Sequence, residues 1–208
     1  MADSNKPKSL GIFSYNSPVI LTFTIIAVIV QALASIPVLD NTHWLFVTMP
    51  GTSLLNPLYY FRLFSHAIGH GSWQHLTGNF MMILLIGPIL EEKYGSKRLL
   101  FMMAVTALVT ALINNIFFHN PLCGASGIVF MFILLASCTT SAKNDDKIPI
   151  TLILVALLYL GQEVINSFRD DNISQMAHIV GGVCGALFGM YFAKSAKSKT
   201  NAPVDSAE

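Results

Sequence analysis

Apolar runs near residues 18–37, 73–91, 98–118, 125–142, 148–168 and 174–193 follow one another along the chain, separated by polar, glycine- or proline-bearing breaks. A run of about 20 apolar residues crosses a bilayer as one helix, so the pattern predicts six membrane-spanning α-helices. The connections are short except for 38–72. The prediction is therefore an all-α membrane protein with one compact domain over 15–194. The polar ends, 1–14 and 195–208, are rich in Lys, Ser, Asn, Pro and Ala and read as disordered tails.

Composition supports the membrane reading. A soluble domain carries about a quarter charged residues, whereas 11% are charged and 53% hydrophobic here, with a mean hydropathy of +0.60. Basic residues set the direction. With the amino terminus cytoplasmic, Lys6, Lys8, Lys93, Lys97, Arg98, Lys143, Lys147, Lys194, Lys197 and Lys199 fall inside. Of the 12 basic residues, Arg62 and Arg169 alone then fall outside. Both tails are thereby cytoplasmic, and the absence of a mitochondrial-type leader points to a bacterial plasma membrane. Ala32-Leu33-Ala34 has the form of a signal-peptidase site, but the long apolar run and mixed-charge leader favour a retained first helix. The net charge of +1 argues against a nucleic-acid partner. Cys123 and Cys138, fifteen helical residues apart, lie roughly 20 Å from each other, beyond disulfide reach; with Cys184 they read as small buried apolar residues.

Polar residues inside a span are costly and face the bundle interior, and three clusters share its outer half. In Gly124-Ala125-Ser126-Gly127 a hydroxyl opens a short apolar helix, where free N–H groups and the helix dipole favour developing negative charge. Close helix packing through small residues explains the same motif. His75 and Asn79 share one helix face. Two such donors suit an oxyanion, or an interhelical clamp. His178 lies about a turn into the last span, above a stripe of Ala177, Gly181, Gly185 and Gly189 that lets a neighbouring helix come close. A neutral imidazole beside it is a general base looking for a partner. Serine, histidine and a donor pair at one depth make a nucleophile, a base and an oxyanion site.

Taken together, His75-x3-Asn79, Gly124-x-Ser126-Gly127 and Ala177-His178-x2-Gly181-x3-Gly185 resemble the motifs of rhomboid intramembrane serine proteases in their minimal six-helix bacterial form. The resemblance implies a six-transmembrane-helix bundle with a membrane-interface first loop. It implies a Ser126–His178 dyad cleaving membrane-anchored proteins near the outer face, and an oxyanion site from the Ser126 N–H, His75 and Asn79. Phe61-Arg62 stands where the family has Trp-Arg. Phe130 stands where the family often has a tyrosine stacked on the catalytic histidine. Glu91 and Gly95 match a structural Glu-x3-Gly at the inner end of the second span.

Other polar residues receive supporting roles. The first loop carries Tyr59, Tyr60, Phe61, Phe64 and Trp73, aromatics that settle at the membrane interface. His66 and His70 read as structural or as the walls of a water pocket. Their i, i+4 spacing also invites a metal, but no third ligand is in view. Glu163 and Gln162 line a wet cavity or a substrate gate. No cofactor or metal is expected; the partners are transmembrane substrates and membrane lipids. The alternative is a non-catalytic rhomboid-like protein that binds membrane clients, but such relatives lack the serine or histidine present here. A transporter would show charges or repeats along a path. An α/β-hydrolase would place a strand before Gly-x-Ser-Gly.

Overall fold

The computed structural model describes residues 8–10, 13–118, 120–141, 150, 153–154, 157–158 and 175–200. Among them are six helices: α1 (Pro18–Ala34), α2 (Pro57–Ser65), α3 (Trp73–Tyr94), α4 (Ser96–Phe117), α5 (Ser126–Ser141) and α6 (Gln175–Thr200). A 3-10 helix spans Asp40–Phe46, and strands β1 (Lys8–Leu10) and β2 (Phe13–Tyr15) form an antiparallel ribbon. Helices α1, α3, α4, α5 and α6 begin within two residues of the apolar runs that forecast them. The run at 148–168 lies outside the described residues. Among the described residues, α4 alone passes as a span by length and apolarity; α1, Ser126–Ser137 and Met176–Phe192 are apolar but shorter.

Two regions hold more structure than their composition suggested. The ribbon occupies part of the amino-terminal tail, and α6 runs on to Thr200. Within 38–72, Asn56 accepts a hydrogen bond from the Leu58 N–H at 3.0 Å and Pro57 opens α2. An Asn cap followed by proline at the first helical position is a strong start signal. Cross-links hold this connection. The Ser65 hydroxyl donates to Leu45 O at 3.0 Å, and the Trp73 indole N–H donates to the Ser35 hydroxyl at 3.0 Å.

The outer surface is apolar like the interior, unlike that of a water-soluble domain. Ile25 and Ile29 of α1, Met81, Leu85 and Ile89 of α3, Phe101 and Ile116 of α4, and Val183, Leu187 and Met190 of α6 are exposed. Apolar surface on that scale does not persist in water. Helix α5 is the core: Ile128, Val129, Met131, Phe132, Ile133 and Leu135 are all buried.

The closest approach is between α5 and α6. A Cβ on Gly181 would overlap the Gly127 carbonyl oxygen, and one on Gly185 would overlap that of Met131. Both helices advance by four residues between the two contacts, so they run parallel, backbone against backbone.

The α3–α4 corner uses a different device. Gly95, at φ 79°, ends α3 and precedes α4, and its N–H donates to Glu91 O at 2.8 Å. The buried Glu91 carboxyl accepts from the Val19 N–H at 3.0 Å, the Ile20 N–H at 3.1 Å and the Ser96 hydroxyl at 2.7 Å. It caps α1, whose own Ser17 side chain makes no cap bond. Glu91→Ala strips three donors of their acceptor. The expected loss is about 1–3 kcal/mol in reversible unfolding from detergent micelles, with Glu91→Gln retaining part of it.

Candidate active site

The segment before α5 is held by backbone bonds to the distant first connection. Thr48 and Leu122 exchange N–H···O bonds of 2.9 and 3.2 Å, and the Gly124 N–H donates to His66 O at 2.9 Å. Gly124 has φ 123°, a conformation that only glycine adopts readily. The chain then turns into α5, with half-buried Ser126 as its first residue.

His75 and Asn79 reach this turn from the first turns of α3, where the Ser72 side chain accepts from the His75 N–H at 3.1 Å. A Cβ on Gly124 would lie 2.7 Å from Cε1 and 2.9 Å from Nε2 of His75, and 3.7 Å from Nδ2 of Asn79. The missing side chain is thus the space into which His75 fits. His70 adds a contact absent from the sequence reading. Its Nε2 lies 3.0 Å from Asn79 Nδ2 and accepts from the Ala125 N–H at 3.3 Å. The His70 and His75 rings meet edge to face at 5.0 Å.

On the other side, His178 is 8% exposed and stacks on Phe130, with ring centroids 4.4 Å apart and planes 8° from parallel. The neighbouring Ala177 carbonyl lies 3.3 Å from where a Cβ on Gly127 would be. Gly127 and Ala177 therefore pair the residues that follow Ser126 and precede His178.

Gly124, Ser126, Gly127, Phe130, His75, Asn79, His70, His178 and Gly181 thus lie at one end of the bundle, while Gly185, against Met131, lies a turn deeper. Glu91 does not; it lies near the opposite end of α3. Arg62 on α2 contributes its carbonyl, to which His66 Nδ1–H donates at 3.2 Å, while its Nε finds no acceptor among the described residues. His119, Gln162 and Glu163 lie outside the described residues.

A polar stripe on α4 was missed. Thr106, Thr110 and Asn114, four residues apart and all buried, face inward. Thr106 and Thr110 line a small cavity with His66, Gly124, Gly127 and Ala177, with space for about one water. Thr106 bonds to Met102 O at 2.8 Å, whereas the buried Thr110 hydroxyl has no partner among the described residues. The four-residue spacing of polar groups on an apolar helix was the available signal.

His66 and His70 sit in the connection ahead of α3. Burial lowers the pKa of His66 to about 4. Burial, followed by the charge of His75, lowers that of His70 to about 4 as well. Both rings are neutral in the folded protein.

Residues 57–195 match the rhomboid domain. YdcA of Bacillus subtilis (strain 168) is 31% identical over 138 residues, covering 61% of this chain and 63% of YdcA. The rhomboid protease GlpG of Serratia proteamaculans (strain 568) is 26% identical over 156 residues, 73% of this chain and 55% of that protein. Rhomboid-related protein 1 of Caenorhabditis elegans is 30% identical over 158 residues, 68% of this chain and 43% of that protein. The chain spans less than two thirds of the length of each of these relatives. The domain match covers more than half of the chain, which belongs to the rhomboid family and is a membrane protein.

Two stability predictions follow from this geometry. Gly124→Ala combines a strained φ with a clash into His75 and should cost more than about 1 kcal/mol. Gly71→Ala, where a Cβ meets nothing within 4 Å, should stay within about 0.5 kcal/mol; unfolding in micelles compares them. His66 and His70 have folded pKa values below 6.5, so the unfolded chain binds more protons between about 4 and 6.5. Stability is complete above that window and falls as pH drops through it, by up to about 3 kcal/mol per ring. A pH series of unfolding midpoints should show this slope, and His66→Gln should flatten it.

Proposed function

We propose that this rhomboid-family chain is an intramembrane serine endopeptidase that cleaves membrane-anchored protein substrates near the outer membrane face. The observation that carries this is the seating of His178. Flat against Phe130, with Ala177 touching Gly127, its ring is held beside the first turn of α5, where Ser126 lies. The relatives named rhomboid proteases support the same reading.

In this mechanism the Ser126 hydroxyl attacks the peptide carbonyl as His178 takes its proton, and the carbonyl oxygen becomes an oxyanion. The Ser126 N–H, His75 and Asn79 stabilise that charge. His178 then gives its proton to the leaving amine, and an acyl-enzyme remains. Water, deprotonated by His178, attacks the ester and frees Ser126. Stacking on Phe130 fixes the plane of His178 and so the edge it offers to the serine. The cavity beside Thr110 and Gly127 suits a water waiting near that ester. The buried Thr110 hydroxyl, without a partner among the described residues, supports this.

The membrane arrangement belongs to the same proposal. The domain, 15–194, has six spans with both tails cytoplasmic in a bacterial plasma membrane. The first connection, with Trp44, Tyr60, Phe61 and Phe64 exposed, lies in the outer leaflet interface. Helices α5 and α6 run parallel, as the fourth and sixth spans of such a chain do. Arg62 and His66 brace the connection, and substrate enters sideways from the lipid.

The test is covalent labelling of detergent-purified protein by a fluorescent fluorophosphonate. Wild type should label, and Ser126→Ala and His178→Ala should not. Asn79→Ala should label about 100-fold to 1,000-fold more slowly, the usual loss for one oxyanion donor. Well-folded wild type that fails to label would leave a client-binding membrane protein as the better reading.

A further inference from the structure

Both ring nitrogens of His70 are engaged, and the partners leave one solution for the protons. Nδ1 lies 3.0 Å from Ile68 O. Nε2 lies 3.3 Å from the Ala125 backbone nitrogen and 3.0 Å from Asn79 Nδ2. A backbone N–H only donates, so Nε2 is the nitrogen with the lone pair, and the proton is on Nδ1, donated to Ile68 O. A lone pair accepts from the NH2 of Asn79 and repels its carbonyl oxygen. The direction of the Ala125 N–H therefore sets the tautomer of His70, and the tautomer sets which end of the Asn79 amide faces it.

This matters because an asparagine amide is reversible. Its two ends have nearly the same shape and opposite polarity. Asn79 Nδ2, anchored to His70, also faces Gly124, two residues before Ser126. One of its two N–H bonds is used by His70, and the second has no acceptor among the described residues. In the flipped amide the carbonyl oxygen would stand in its place, with negative charge toward negative charge.

We propose that His70 is a positioning residue that fixes the polarity of Asn79, so that an amide N–H rather than the amide oxygen is presented to the oxyanion. The inference rests on the protease reading above and adds a residue to it. Ala125 is part of the device, since the same turn that delivers Ser126 also writes the tautomer of His70.

The test is a double-mutant cycle on the fluorophosphonate labelling rate, with wild type, His70→Leu, Asn79→Ala and the double variant. His70→Leu should slow labelling about 100-fold, close to Asn79→Ala. The double variant should be no slower than the slower single variant, because both remove the same donor. His70→Gln, whose side-chain oxygen also accepts, should recover to within about tenfold of wild type, a rescue that a purely structural loss would not show. Independent, multiplying losses, or wild-type labelling by His70→Leu, would overturn the proposal. Should His70→Leu not fold, nitrogen NMR of the His70 ring in wild-type protein decides: a proton on Nδ1 is expected, and one on Nε2 refutes it. Absence of Ser126-dependent labelling in wild type would instead remove the protease reading. The ring measurement would still report on the His70–Asn79 bond.

Discussion

The contact of α5 with α6 is the constraint on which the rest depends. Two glycines on α6 lie against carbonyl oxygens of α5 with no room for a methyl group between them. In lipid no hydrophobic effect pushes helices together, so such contact is gained from close packing of small residues. It also fixes register. With Gly181 on Gly127 and Gly185 on Met131, His178 has to arrive one turn above, beside Phe130 and the start of α5. Chemistry that needs a few ångströms of accuracy is thus set by backbone surfaces, which have no rotamers to choose from.

Around that fixed pair the first connection is fitted piece by piece. The Thr48–Leu122 exchange, the bond from Gly124 to His66, and the bonds of His70 to Ala125 and Asn79 all join it to the turn before Ser126. The backbone N–H groups of Leu122, Gly124 and Ala125, all buried, are met by these partners, as burial away from water demands. The site is in this sense shared between α5–α6, which set position, and the first connection, which sets polarity and shape.

Much of this was legible in the sequence because spacing encodes it. The four-residue steps of Gly181 and Gly185 announced a helix contact. Ser126 after Gly124 announced a helix start at a turn. Lengths of apolar runs placed the helices to within a few residues at their starts. Less legible were features that depend on a partner far along the chain. Nothing local to His70 says that Ala125 will point an N–H at it, and nothing near Thr48 names Leu122. Asn56-Pro57 and the threonines of α4 are a different case, being readable signals hidden within a loop and an apolar run. The ribbon at Lys8–Tyr15 was masked by a composition that resembles a tail.

The bond from Ala125 to His70 has a further meaning for how the molecule comes to be. Its ends are 55 residues apart, with α3 and α4 between them. Closing so long a loop costs entropy that local helix formation does not recover, so contacts of this kind form after their intervening elements have docked. The turn that carries Ser126 therefore depends for its shape on the packing of α3 and α4, which brings those ends together. A substitution that loosens the packing of α3 or α4 thus reaches the site without touching it.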